Sequence, residues 1–242
     1  MKIVVEILRF NPEMDREAHT MRYDVEAEPA DRLLAVLMDI KANQDPSLGI
    51  RRSCAHGVCG SDAMVVNGRE RLACKTLIRE VAEEDGATIR IEPLRNLRVQ
   101  RDLMVDQSRF FSNCIQVKPY FISKEKSGNG EFHQSQTERK QYEEGTKCIL
   151  CVSCYSACPV IRDVNPDFLG PAAVIQAARF NDDSRDQGFA ERVAQLDHPN
   201  GIWPCESRYE CTRVCPRGIK ITKIINSTKR KITEYRENQK PE

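Results

Sequence analysis

Along the first hundred residues, apolar and polar positions alternate as they do in strands with one covered face. Ile3, Val5 and Ile7 fall on one face of a first strand, and Met21, Tyr23 and Val25 on one face of a second, so the two read as a hairpin pair. The pattern then changes period. Leu33, Leu34, Leu37 and Ile40 recur at helical spacing behind Asp31, whose carboxylate can accept from free backbone N–H groups at a helix start. This predicts a helix of about three turns. Met64 to Val66 and Arg69 to Ala73 flank Asn67-Gly68, a pair that tolerates positive φ at both central positions and so predicts a second hairpin. Ile89 and Ile91 supply another strand. Strands, one helix and further strands suit a small sheet with a helix packed across it, an α+β arrangement.

From about Asp106 the alternation fades and helix-like spacing takes over, so the chain divides into an expected domain 1–105 and a mainly helical domain 106–242. Ser123 to Glu144 is a polar stretch containing Ser127-Gly128-Asn129-Gly130, a loop composition. Between Ile219 and Lys240, Ile221, Ile224 and Ile225 share a face among Lys and Arg residues, which predicts a helix with a solvated basic side.

Charge narrows the possibilities by exclusion. The 242 residues carry 37 Lys and Arg against 36 Asp and Glu, a net charge of +1, so no global field draws the chain to nucleic acid or anionic lipid. No apolar run reaches the roughly 18 to 20 residues that span a bilayer, and Met1-Lys2-Ile3-Val4-Val5-Glu6 lacks a long apolar leader. The chain therefore reads as cytoplasmic and soluble by itself.

Its cysteines change the picture more. There are 11, and seven fall into two tight runs. A disulfide framework is one reading, but the odd count and CxxC spacing favour metal in a reducing compartment. Cys148, Cys151, Cys154 and Cys158 precede Pro159 as CxxCxxCxxxCP, the ferredoxin run whose thiolates converge on a cuboidal cluster. Cys205, Arg208, Cys211, Cys215 and Pro216 repeat those spacings with arginine in the second place. In two-cluster ferredoxins the fourth cysteine of each run serves the other cluster. The sets become Cys148, Cys151, Cys154 and Cys215 for a [4Fe-4S] cluster, and Cys158, Cys205 and Cys211 for a centre one ligand short, hence [3Fe-4S]. Zinc also takes four cysteines, although its sites usually pair two separated CxxC knuckles.

Cys54, Cys59, Asp62 and Cys74 reproduce the plant-type spacing of a [2Fe-2S] loop, with aspartate in the third place. A carboxylate is a harder ligand than thiolate but still binds iron. The rival reading makes Asp62 an ordinary loop residue. Gly57 and Gly60 let backbone approach the cluster. His56 matches half of a Rieske CxH pattern, but no CxxH follows, so it reads as a loop side chain. Cys114, between Phe110, Phe111 and Ile115, reads as a small buried apolar residue. No GxGxxG and no acid/base constellation beyond the cluster ligands is present.

This inventory resembles the iron-sulfur subunits of succinate dehydrogenase and fumarate reductase. The resemblance is carried by Arg51-Arg52-Ser53-Cys54, Val58-Cys59-Gly60-Ser61-Asp62 and Leu72-Ala73-Cys74-Lys75-Thr76, with Asn165-Pro166-Asp167, Gly170-Pro171 and Asp183-Ser184-Arg185-Asp186 as further landmarks. It covers nearly the whole chain, apart from the polar stretch around Ser127 and the last few residues. It implies a β-grasp ferredoxin domain followed by a helical two-cluster ferredoxin domain. Electrons would pass between FAD in a flavoprotein subunit, the three clusters, and quinone at membrane anchor subunits that can carry haem b. The chain would then sit peripherally on the cytoplasmic face of the cell membrane. Many members place tryptophans after the first CP and a histidine after the first cysteine of the second run. Here Val160-Ile161-Arg162-Asp163 follow Pro159, and Glu206 follows Cys205. Pro159 alone carries over as a quinone contact, and menaquinone becomes the expected quinone. A free-standing ferredoxin-like carrier is the alternative from a different class.

Overall fold

The structure, a computed structural model, describes residues 1–123 and 130–239. It divides into two compact units, residues 1–107 with 149–157 and residues 108–148 with 158–242. The strands are β1 Lys2–Arg9, β2 His19–Glu26, β3 Ala63–Val66, β4 Arg69–Leu72, β5 Thr88–Glu92, β6 Val99–Arg101 and β7 Met104–Val105. The helices are α1 Leu33–Asp39, α2 Ser108–Gln116, α3 Gln136–Thr146, α4 Ser153–Ser156, α5 Pro159–Asp163, α6 Pro171–Asn181, α7 Phe189–Leu196, α8 Glu210–Arg213 and α9 Ile221–Asn238. Among the described residues, no helix is long and apolar enough to cross a membrane.

In the first unit, β1 buries Ile3, Val5 and Ile7 and pairs antiparallel with β2, setting Ile3 opposite Val25 and Val5 opposite Tyr23. The sheet order is β2-β1-β5-β3-β4. β2 is therefore an edge strand covered only toward its end: Tyr23 and Val25 are buried, whereas Met21 is 39% exposed. β5 pairs in parallel with β1 and antiparallel with β3, so a crossover must separate β1 from β5 in sequence. Asn67 and Gly68, at φ 48 and 80, make the tight turn between β3 and β4. The pair β6 and β7 has no counterpart in the alternation read from sequence.

Helix α1 buries Leu33, Leu34, Val36 and Leu37 and continues into a π turn over Ile40–Gln44. Its start departs from expectation. The Asp31 carboxylate accepts from Glu28 N, upstream of the helix, and the Leu33 and Leu34 N–H groups donate instead to Thr76 O and Ala73 O. Carbonyls on either side of Cys74 thus accept from the first donors of the helix, which joins α1 to the turn carrying a candidate ligand by backbone bonds.

Segment 149–157 belongs to this unit, an excursion that a single linear boundary does not provide for. Buried Ser156 donates to Glu70 Oε1 and accepts from Arg95 N, both at 2.8 Å, while Asn96 Nδ2 donates to Tyr155 O and Ser156 O at 3.0 Å.

The second unit is helical among its described residues. α6 is buried from Pro171 to Ala178, as a helix enclosed by others must be. α3 opens at Ser135, whose hydroxyl accepts from Glu138 N while Glu138 Oε2 accepts from Ser135 N, so the later part of the polar stretch is a capped helix. Ser127-Gly128-Asn129 lies outside the described residues. Arg192, fully buried, makes a bidentate pair with Asp186 at 2.6 and 2.9 Å and donates to Lys118 O and Tyr120 O. Each guanidinium donor is engaged, which is the condition for burying that charge.

α9 buries Ile221, Thr222, Ile225, Thr228 and Ile232. Its basic side is not simply solvated: Lys229 donates to Cys205 O and Trp203 O, Lys231 to Asp182, and Arg236 pairs with Asp197. Lys240 lies outside the described residues.

Candidate iron-sulfur sites

The first site lies within the first unit. After Arg51 the chain turns through Ala55, Gly57 and Gly60 at φ 56, 72 and 72, a run of left-handed residues that curls the backbone and turns its N–H groups toward Cys54. His56 N and Cys59 N donate to Cys54 Sγ at 3.3 Å. The His56 amide, the Cys59 thiol and the Val58 and Cys59 amides hold the Cys54 thiol down to about 6, favouring its thiolate. Cys74 behaves oppositely: burial, with the adjacent Asp62 carboxylate, pushes its thiol up to about 12.

Asp62 is 3% exposed. Its Oδ2 accepts from Cys74 N at 2.5 Å, and its Oδ1 is buried without a hydrogen-bond partner among the described residues. An orphaned carboxylate oxygen of that kind is expensive unless a cation completes it. The structure therefore brings Cys54, Cys59, Asp62 and Cys74 together and leaves a hard oxygen donor available, which fits the four-ligand reading. His56 contributes its backbone N–H here.

The two C-terminal runs are repeats in backbone as well as in sequence. Leu150 and Val152 take φ 53 and 69 in the first, Ser207 and Tyr209 take φ 57 and 65 in the second, and α4 and α8 follow at matching positions. Tyr155 N and Ser156 N donate to Val152 O as Thr212 N and Arg213 N donate to Tyr209 O. Non-glycine residues rarely accept such φ values, so the shared conformation is a specified feature. Arg208 occupies the place of Cys151 in this repeat, and its guanidinium pairs with Glu206 at 2.8 Å.

Cys158, Cys205 and Cys211 all lie in the second unit. Burial raises the Cys158 thiol, and burial pushes Cys211 up to about 11, with Cys205 close enough to add to both. The sites of the other four differ in membership: Cys151 and Cys154 belong to the first unit, Cys148 and Cys215 to the second. Pro159 is the first residue of α5, with Cys158 at its N-cap. Cys114 is buried on α2 and its thiol is pushed up to about 12 by burial and by nearby Cys148. Among the described residues, no three His, Cys, Asp or Glu side chains are placed to share a single metal ion. A cluster distributes its ligands over several irons instead.

Three hydroxyls beside the thiols were not singled out from sequence. Ser61 Oγ lies 3.2 Å from Cys59 Sγ, Ser153 Oγ 3.5 Å from Cys151 Sγ, and Thr222 Oγ1 3.6 Å from Cys211 Sγ. The two serines stand two places after their cysteines and could have been found by local spacing. Thr222 could not, since only the meeting of α8 and α9 puts it there.

These features define a chain built around iron-sulfur clusters, and comparison with known proteins agrees. Residues 4–112 match the 2Fe-2S iron-sulfur cluster binding domain, and residues 144–219 match the 4Fe-4S dicluster domain. The chain is 40% identical over 237 residues to the fumarate reductase iron-sulfur subunit of Haemophilus influenzae, covering 93% of this chain and 91% of that one. It is 33% identical over 234 residues to the succinate dehydrogenase iron-sulfur subunit of Coxiella burnetii, covering 96% and 97%. A chain of the Mycobacterium smegmatis Sdh1 complex in the apo form superposes with a TM-score of 0.87 at 28% identity, covering 97% of this chain and 96% of that one. The protein belongs to the family of fumarate reductase and succinate dehydrogenase iron-sulfur subunits. Its fold is α+β, a β-grasp ferredoxin domain followed by a helical two-cluster ferredoxin domain.

Proposed function

We propose that this chain is the electron-transfer subunit of a membrane-bound succinate:quinone oxidoreductase, relaying electrons between a flavoprotein subunit holding FAD and a quinone at membrane anchor subunits. The observation that carries the reading is the gathering of three thiols, Cys158, Cys205 and Cys211, beside a second cysteine run whose second place holds Arg208 instead of a thiol.

Cys54, Cys59, Asp62 and Cys74 would hold a [2Fe-2S] cluster. Cys148, Cys151, Cys154 and Cys215 would hold a [4Fe-4S] cluster, and Cys158, Cys205 and Cys211 a [3Fe-4S] cluster. When bound, such clusters accept and release single electrons. The protein's own part is to fix their ligands and surroundings. Backbone amides at Cys54 favour its thiolate, burial at Cys74, Cys158 and Cys211 excludes water, and the neighbouring hydroxyls offer hydrogen bonds to sulfur. Pro159, beside Cys158, is the proposed quinone contact, with menaquinone as the quinone and haem b as an anchor cofactor. The chain docks peripherally on the cytoplasmic face through its partner subunits.

The test is purification from native membranes at high salt. A stable complex with flavoprotein and anchor subunits, near-equal iron and acid-labile sulfide, and three distinct paramagnetic centres are expected. Comparing succinate oxidation with fumarate reduction assigns the direction. A monodisperse monomer from native cells would favour the free carrier instead, and stoichiometric zinc without sulfide would overturn both.

A further inference from the structure

Cys211 is 8% exposed, and the Thr222 hydroxyl, on the first turn of α9, lies 3.6 Å from its sulfur. Thr222 is itself 1% exposed. Its surroundings constrain which way the hydroxyl's hydrogen points. Thr222 Oγ1 lies 3.0 Å from Thr212 Oγ1, and Thr212 Oγ1 accepts the Thr222 backbone N–H at 3.0 Å. A protonated Cys211 could give or take the hydrogen in this contact. A thiolate has none to give. With the sulfur as acceptor, an order that satisfies every group runs Thr222 N–H to Thr212 Oγ1, Thr212 O–H to Thr222 Oγ1, and Thr222 O–H to Cys211 Sγ, and the Thr212 hydroxyl is itself close enough to act on Cys211.

We propose that Thr222, oriented by Thr212, is a positioning residue that raises the reduction potential of the cluster held by Cys158, Cys205 and Cys211 by donating a hydrogen bond to Cys211 Sγ. The proposal rests on the reading of those three cysteines as the ligands of the third centre. Reduction adds negative charge to a cluster and its thiolates, so a donor aimed at a ligand sulfur stabilises the reduced form more than the oxidised one. Burial makes the bond count for more, since the competing solvent is kept out and the local dielectric is low. The contrast with the first site is informative. Ser61 stands 3.2 Å from Cys59 Sγ, yet Cys59 is exposed, so water can replace that hydroxyl.

The experiment is an EPR-monitored redox titration of the purified complex, with iron and sulfide measured per chain, for Thr222→Val, Thr222→Ser and Thr212→Val. Thr222→Val keeps the side-chain volume and removes the donor. Its third centre is expected to show a downward midpoint shift larger than the scatter between repeat titrations, with the other two centres unmoved. Thr222→Ser restores most of the midpoint, and Thr212→Val produces a smaller shift in the same direction. An unchanged third midpoint in Thr222→Val overturns the proposal, as does an equal shift in all three centres, which marks general loosening. If Thr222→Val does not assemble, Thr212→Val decides, because it leaves the Thr222 contact with Cys211 in place: a midpoint equal to that of the unsubstituted complex rejects the oriented chain. Absence of a three-iron signal in the unsubstituted complex would instead reject the ligand reading itself, and the two failures are thereby told apart.

Discussion

Gly60 lies against Cys151 so closely that a Cβ on the glycine would stand 2.5 Å from Cys151 Cβ and 2.7 Å from its Cα. The loop carrying Cys59 and the loop carrying Cys151 therefore meet backbone to backbone within one unit. In the proposed relay Cys59 and Cys151 serve consecutive centres, and the bare glycine is what lets their loops approach this closely.

Gly60→Ala should damage both loops at once. Its φ of +72 costs an L-residue about 1–2 kcal/mol, and the clash with the Cys151 backbone adds to that. The expected result is a lower thermal midpoint for the complex and altered EPR spectra of the first and second centres. Gly68→Ala is the control: at φ +80 with nothing within 4 Å of its Cβ, it carries the conformational cost alone and leaves both spectra unchanged.

Asp62→Cys should leave the first cluster assembled, because thiolate replaces carboxylate as ligand. Asp62→Ala removes the ligand and also leaves the buried Cys74 N–H without its acceptor, at about 1–3 kcal/mol. Iron and sulfide content together with the EPR of the first centre distinguish the variants. An unchanged spectrum in the alanine variant would take Asp62 off the ligand list.

Arg208→Cys should turn the three-iron centre into a four-iron one. The backbone around position 208 already has the left-handed neighbours found around Cys151, and the arginine side chain is 65% exposed, so its removal empties no core. Loss of the three-iron signal with a gain of one iron per chain is expected. Arg208→Ala should retain the three-iron signal, and its loss there would mean that the guanidinium, and not merely a missing thiol, shapes the site.

Ser156→Ala should loosen the attachment of segment 149–157. It leaves the buried Glu70 carboxylate and the Arg95 N–H each lacking a partner, at roughly 1–3 kcal/mol for each group so exposed to loss. Denaturant unfolding measures this. Glu70→Gln should cost less, since the amide oxygen still accepts from Ser156.

Stability should also fall at alkaline pH through Tyr23. Burial, then its hydrogen bond to Asp45, pushes the phenol from 10.0 up to about 12, with Arg9 working in the opposite direction. The raised group contributes fully below the unfolded value and loses its contribution as pH rises through the folded one. Between 10.0 and about 12 the native state holds a proton that the unfolded chain releases. Thermal midpoints measured across that interval should drop more steeply in the unsubstituted protein than in Tyr23→Phe.

Much of the first unit was legible because its strands alternate: Val5 and Ile89 are buried where period two puts them, and Asn67-Gly68 turns where its φ preferences allow. Asp31 was misleading for an instructive reason. Capping residues compete with any carbonyl the fold supplies, and Thr76 O and Ala73 O reach the start of α1 while Asp31 turns back to Glu28. The basic side expected for α9 is solvated at Lys223 and Arg230, while Lys229, Lys231 and Arg236 also find acceptors on other segments of the second unit that composition does not reveal.

The spacing of the cysteines, the aspartate in the first loop and the arginine in the second run are local properties, because ligands a few residues apart are constrained by the chain joining them whatever the rest of the molecule does. That is why cluster types could be read before any fold. The meetings of Gly60 with Cys151, Ser156 with Glu70 and Thr222 with Cys211 are of another kind. Cys211 and Thr222 are 11 residues apart, Ser156 and Glu70 are 86 apart, and neither separation constrains a distance. Packing of helices and strands set these contacts, and through them the environment in which each cluster would hold its electron.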